Sequence, residues 1–212
     1  MLRRALLGVC AVVALSGCAA DPVWAPDEQV IAAAYRAPGP TRVTLLTMVS
    51  NSTGAGGHSA LMIDGAQRLI FDPAGSWYHP QAPERNDVIF GMSPQLFDFF
   101  MDYHARETFH VVVQELDVTP EVAASLSQRV QAYGAVPNSQ CSRAISTVLS
   151  QTEWFEGMSV SWFPITTMEN FGEIPGVRSS QVFDDDSDDN LELLQAQARM
   201  ANQAALFERI SE

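Results

Sequence analysis

Gly57-His58-Ser59-Ala60-Leu61-Met62-Ile63, the turn pair Asp64-Gly65, and Arg68-Leu69-Ile70-Phe71-Asp72 form the stretch whose reading decides the fold. Ser59 to Ile63 is short, apolar and rich in strand formers, and Arg68 to Phe71 repeats that character after a turn signal. Together they read as an antiparallel hairpin. Upstream, Arg42 to Val49 is a β-branched, apolar run and reads as a strand, and Asn51 to Gly57 is a turn-rich connection. Downstream, Ser93-Pro94 starts a helix whose Leu96, Phe99, Phe100 and Tyr103 have amphipathic spacing. Phe109 to Leu116 reads as another strand. Thr119-Pro120-Glu121 opens a helix that Gly134 stops after Tyr133, and Asn138 or Ser139 caps a further helix running to about Leu149. Strands first paired locally and then helices point to an α+β domain with an antiparallel sheet packed against helices.

The chain has 212 residues and a formal net charge of −13, and all 12 of its basic residues are arginine. With 47% hydrophobic and 17% charged residues it carries enough apolar material for a core. The acidic balance excludes a phosphate-backbone binder, which needs a basic face, so no nucleic-acid partner is expected. At the N-terminus, Arg3 and Arg4 precede the apolar stretch Ala5 to Leu15, followed by Leu15-Ser16-Gly17-Cys18. This pattern resembles a bacterial lipoprotein signal, with cleavage after residue 17 and a diacylglycerol on Cys18; an ordinary secretion signal cleaved near Ala19-Ala20 is the plain alternative. The resemblance implies a membrane partner through lipidated Cys18 and a place in the cell envelope. The absence of aspartate after that cysteine leans to the outer membrane facing the periplasm. Residues 18–40 then read as a tether ending in Pro38-Gly39-Pro40, and 41–178 as the folded domain. In 179–212, the run Asp184-Asp185-Asp186-Ser187-Asp188-Asp189 lacks the glycine and glutamate of a calcium loop, so it reads as a solvated linker before a possible C-terminal helix.

If Cys10 leaves with the signal and Cys18 is lipidated, Cys141 is the one remaining thiol. In Asn138-Ser139-Gln140-Cys141-Ser142-Arg143 it falls at the second or third helical position, where unpaired N–H groups and the helix dipole favour a thiolate. A buried small hydrophobe is the plain alternative. A thiol nucleophile needs a base, normally histidine. His58 follows Gly54-Ala55-Gly56-Gly57, whose small residues leave room for a substrate. His79 reads as a surface residue in a Pro-rich loop, while His104 and His110 read as solvated or locally bonded. No histidine pair has the one-helix spacing of a zinc site, and the glycine run lacks a phosphate-loop lysine, so neither metal nor nucleotide cofactor is expected. Trp154, Phe155, Trp162 and Phe163 are candidates to line an apolar cleft, or to fill the core.

Three segments in this order, Gly57 to Ile63, Ile70-Phe71-Asp72-Pro73-Ala74-Gly75 and Asn138 to Ser142, resemble the circularly permuted papain-like proteins. These are the branch of the NlpC-type superfamily related to lecithin:retinol acyltransferase. The resemblance covers roughly residues 41 to 165 and implies a thiol hydrolase or acyltransferase with Cys141 as nucleophile and His58 as base. Cell-wall peptides or lipid acyl groups would be its substrates. Asp72 is the match for the third polar residue that orients the histidine. A three-residue loop Asp64-Gly65-Ala66 would set Asp72 opposite His58, whereas a two-residue loop would turn it to the other face. A non-catalytic envelope lipoprotein using the same fold as a binding module is the alternative function.

Overall fold

The structure, a computed structural model, describes residue 20 and residues 22–211, with side chains to residue 203. The signal segment 1–17 and Cys18 lie outside the described residues. Among the described residues the elements run α1 (Asp27–Ala32), β1 (Arg42–Ser50), β2 (Gly56–Asp64), β3 (Arg68–Phe71), β4 (Glu84–Arg85), β5 (Val88–Phe90), α2 (Pro94–His104), β6 (Phe109–Asp117), α3 (Pro120–Tyr133), α4 (Cys141–Ser150), α5 (Pro164–Gly172), β7 (Arg178–Val182) and α6 (Leu191–Ser211). The seven strands make one antiparallel sheet in the order β4-β5-β3-β2-β1-β6-β7, so the fold is α+β.

Strand β1 sits between β2 and β6, and every residue from Val43 to Val49 is buried. A strand covered on both faces has no polar side, which is why Arg42 to Val49 shows no alternation. Val43 and Leu45 pack with Leu61, Ile63, Leu69 and Phe71 under helices α3 and α4. Leu46 and Met48 face the other way, with Ala60, Met62 and Ile70 beneath Leu96, Phe100 and Met101 of α2. The sheet therefore has helices on both faces.

Helix α4, CSRAISTVLS, has weak intrinsic helix propensity because of its Ser, Thr, Val and Ile residues. Packing holds it instead: Ile145, Val148 and Leu149 are each almost fully buried, worth about 1.5–3 kcal/mol apiece. Its opposite seam is polar and also buried. The Ser142 hydroxyl donates to the Ser161 carbonyl at 3.1 Å and lies 2.7 Å from the Thr167 hydroxyl, while Ser146 Oγ accepts the Ser161 N–H at 3.0 Å. These bonds fix α4 against α5.

Several expectations need correction. The second strand begins at Gly56 rather than Ser59, so His58 lies inside it. The hairpin closes on the pair Asp64↔Arg68, making the loop Gly65-Ala66-Gln67, one residue later than a loop of Asp64-Gly65-Ala66. The Asp64–Arg68 ion pair supports that closure. The boundary at 178 cuts β7, whose residues through Val182 pair with β6. The tether is also docked: Ala25 N–H donates to the Glu84 carbonyl and Asn86 N–H to the Val23 carbonyl, both at 2.9 Å, along the β4 edge. Nor is the acidic run a free linker. Arg106, only 6% exposed, reaches Asp186 and Asn190, and Thr108 donates its hydroxyl to Asp188. A nearly buried guanidinium needs anions, and the aspartates supply them.

Candidate active site

His58 stands opposite Met48, just where the β1–β2 register breaks: Met48 pairs with His58 but Val49 pairs with Gly56, leaving Gly57 as the extra residue. The glycines here do not leave empty room. A Cβ on Gly56 would come within 2.7 Å of the Pro164 Cβ and 3.0 Å of the Ile165 nitrogen, and one on Gly57 within 2.7 Å of the Phe109 ring. The start of α5 and Phe109 thus rest directly on the bare backbone before His58 and hold that end of β2 in place.

Asp72 follows the last residue of β3. Extending the register from Leu61↔Phe71 puts position 72 beside Ala60, two residues from His58 on the same face. Shifting both ends of the loop by one residue preserved the parity of the strand, so the carboxylate still reaches the imidazole. His58 Nε2 lies 2.6 Å from Asp72 Oδ1, and the Asp72 side chain is 2% exposed. Two backbone bonds pin the residue: its N–H donates to the Asp87 carbonyl at 2.8 Å, and its carbonyl accepts the Gly75 N–H at 2.9 Å. Asp87 also reaches forward, its Oδ2 accepting the Val136 N–H at 2.7 Å in the loop that leads to Cys141.

Cys141 is the first residue of α4. Gln140 occupies the cap position in place of Asn138 or Ser139, because Ser139 takes a left-handed conformation (φ 66°) and turns the chain before the helix starts. Cys141 is 7% exposed, and its thiol interacts with His58 and with the backbone of Ser59 and Ser142. His58 uses Nε2 for Asp72, which leaves Nδ1 for the thiol. Strand β2, the turn after β3 and the first turn of α4 thereby bring Cys141, His58 and Asp72 into one constellation.

The electrostatics follow from these contacts. Burial pushes the Cys141 thiol up, but the hydrogen bond and charge of His58 and the two backbone groups outweigh it and leave the pKa lowered. Burial disfavours the His58 imidazolium, yet Asp72 and the thiolate together raise it to about 10. Burial likewise opposes the Asp72 carboxylate, and His58 brings its pKa below the ordinary value. The three shifts reinforce one another: each favours the charged form of its group beside its neighbour.

The sequence reading missed His104. It is neither solvated nor merely local: its ring stacks on His58 with centroids 5.9 Å apart and planes 11° from parallel. Its Nδ1 lies 2.7 Å from the Phe100 carbonyl, so Nδ1 carries the hydrogen. Burial lowers its pKa to about 4, which keeps the ring neutral near pH 7. The signal was present, since Leu96, Phe100 and His104 are spaced four apart on the helix face turned to the sheet. Beside the two histidines lies a cavity of about 430 Å³ lined by Met48, Tyr103, Arg106, Phe109 and Asp188 among others.

His79 is a core residue rather than a surface one, 1% exposed and stacked between Trp77 and Phe99. His110 pairs with Asn51 and stacks on Phe183, away from the thiol. Of the four candidate cleft aromatics, Phe155 is in the core against Phe171, whereas Trp154, Trp162 and Phe163 are exposed. Arg143, two residues after the thiol, lies over the Trp162 ring. Compared with family models, curated proteins and solved structures, the chain matches none, and its chemistry is read from the geometry above.

Proposed function

We propose that the protein is a cysteine-dependent hydrolase or acyltransferase of circularly permuted papain-like type, working through a thioester. The observation that carries this reading is His58 spanning Asp72 and Cys141, with the thiol in the first turn of a helix. The chain order of histidine strand, carboxylate turn and cysteine helix supports the permuted arrangement, as does the antiparallel sheet under α4.

His58 Nδ1 takes the thiol proton, and the sulfur attacks the carbonyl carbon of an amide or ester. Negative charge builds on the carbonyl oxygen beside the first turn of α4, whose unpaired N–H groups point at that region. Collapse breaks the bond to the leaving amine or alcohol, which receives its proton from His58, and a thioester on Cys141 remains. Water or another acceptor then gives its proton to His58, attacks the thioester and restores the thiolate. Asp72 holds the imidazole in place and stabilises its charge throughout. Cell-wall peptides and lipid acyl esters are the substrate classes for a protein tethered to the envelope through Cys18.

An activated acyl ester tests the chemistry without knowledge of the substrate. Mass spectrometry should find one acyl group on Cys141, no adduct in Cys141→Ala, and slower labelling in His58→Ala. Labelling that is absent from the parent, or as fast without His58, leaves only the binding-module alternative. The anchor is tested by Cys18→Ala, which should move the protein from the membrane fraction to the soluble one.

A further inference from the structure

We propose that His58, Asp72 and His104 form a binding site for a divalent transition metal of the zinc class, entered from the adjoining cavity. One donor atom from each residue lies within 4.8 Å of the other two. His58 Nε2 and Asp72 Oδ1 are already 2.6 Å apart. Tetrahedral zinc with nitrogen and oxygen ligands at about 2.0 Å needs donors about 3.3 Å apart, so closing the site takes about 1.5 Å of movement. That movement falls to His104, the last residue of α2, whose ring packs against Phe100 and Tyr103.

Two features distinguish this cluster from an accidental one. Metal-binding histidines donate their second ring N–H to a carbonyl or carboxylate, which fixes the tautomer and aims the other nitrogen. His104 is held in this way by the Phe100 carbonyl, leaving Nε2 as an unprotonated donor. The cavity of about 430 Å³ also has both His58 and His104 in its wall. It offers an entry path and room for a solvent ligand in the fourth coordination position. Two imidazoles and one carboxylate with an open position suit zinc, cobalt(II) and their neighbours rather than calcium or magnesium, which take oxygen donors.

The consequence for His58 follows from proton counting. Coordination at Nε2 displaces the proton shared with Asp72, which leaves as H⁺. The ring's remaining proton then sits on Nδ1, the nitrogen facing Cys141. The metal thus takes the nitrogen that His58 turns to Asp72, and Nδ1 keeps facing Cys141. Binding itself does not depend on the proposed thiol chemistry, because the sulfur is not among the donors.

The test uses the full-length protein freed of metal by chelation and dialysis. Titration calorimetry with Zn²⁺, and visible absorption with Co²⁺, should each saturate at one equivalent, the cobalt bands having tetrahedral intensity. Zn²⁺ should release a proton on binding, seen as a dependence of the measured heat on buffer ionisation. His104→Phe should weaken binding at least about tenfold, and should leave the thermal midpoint of the metal-free protein measurable. If that variant does not fold, Asp72→Asn carries the same comparison. Cys141→Ala should bind as the parent does, so a failed thiol reading leaves this result intact. The pair Asp184→Asn and Asp186→Asn should also bind as the parent, since the acidic group Asp102, Asp184 and Asp186 is a separate cluster. No saturable binding, unchanged affinity in His104→Phe, loss in the Asp184/Asp186 variant, or a cobalt–thiolate charge-transfer band would each overturn the proposal.

Discussion

At the residue scale, the site depends on one short contact and on the groups that hold it. An ordinary cysteine has a pKa of about 8.5, and Cys141 sits below it because His58 outweighs the cost of burial. The rate of alkylation by iodoacetamide against pH, measured in chelator, should therefore inflect below the ordinary thiol range. His58→Ala should move that inflection upward by about one unit or more, each unit being about 1.4 kcal/mol of lost pairing. Gly75 is a second residue on which the contact rests. A Cβ there would overlap the Asp72 carboxylate, which is fixed on its other side by His58 and the turn. Gly75→Ala should cost about 1–3 kcal/mol in chemical denaturation, the usual range for overpacking. It should also slow alkylation at pH 7 in the direction of Asp72→Ala. A variant as stable and as reactive as the parent would show that the carboxylate has another place to go.

At the scale of elements, α2 brings a neutral histidine against a charged one. The His104 pKa is depressed to about 4, against about 6.5 in an unfolded chain. The folded state therefore binds fewer protons between those values. The associated stability is fully present above pH 6.5 and is lost as pH falls toward 4, at up to about 1.4 kcal/mol per unit. Asp72, whose folded pKa is lowered, adds its own loss only below the ordinary carboxylate range near pH 4. Denaturant midpoints of the parent should fall steadily between pH 6.5 and 4.5, and His104→Phe should flatten that decline. An equal slope in both proteins would place the acid sensitivity elsewhere. The stripe of Leu96, Phe100 and His104 explains why the sequence hid this residue: a helix face can be read from spacing, but what stands across from it cannot.

For the whole molecule, the two segments outside residues 41–178 matter most. Val23 to Tyr35 lines the sheet edge, with Arg85 over the Trp24 ring and Arg68 N–H bonded to the Tyr35 carbonyl. From a lipidated Cys18 to Val23 the chain can span only about 17 Å, so the anchor proposed above would hold the domain close to the bilayer. At the other end, residues 184–190 wall the cavity and neutralise Arg106. Truncation after Ser180 removes that wall, the last two residues of β7 and two of the Arg106 partners, leaving Asp102. Leaving a nearly buried charge short of partners costs about 3 kcal/mol, which for this size lowers the thermal midpoint by roughly 6–12 °C. A midpoint within about 2 °C of the parent would restore the free-linker reading of the acidic run.

The sequence by itself determined the α+β class and the positions of β1, β3, α2, α3 and α4, and it marked out Cys141 and His58 as candidates. The elements rest on local physics, namely apolar runs and turn and cap residues, whereas Asp72 entered only as what the family resemblance implies. The parity of the hairpin stayed open in the sequence between a three- and a two-residue loop, and the three-residue loop that formed turns Asp72 to the His58 face. Tertiary structure alone decided what those residues meet. Short strands such as β4, β5 and β7 have little pattern of their own and form because a neighbouring edge offers hydrogen bonds. Glycines 56 and 57 read as open space until Pro164 and Phe109 pack on them. His104 reads as a helix end, and the aspartates at 184–189 as a solvated run, until His58 and Arg106 stand opposite. Periodicity gives the face on which a side chain lies, and only the assembled chain gives its partner.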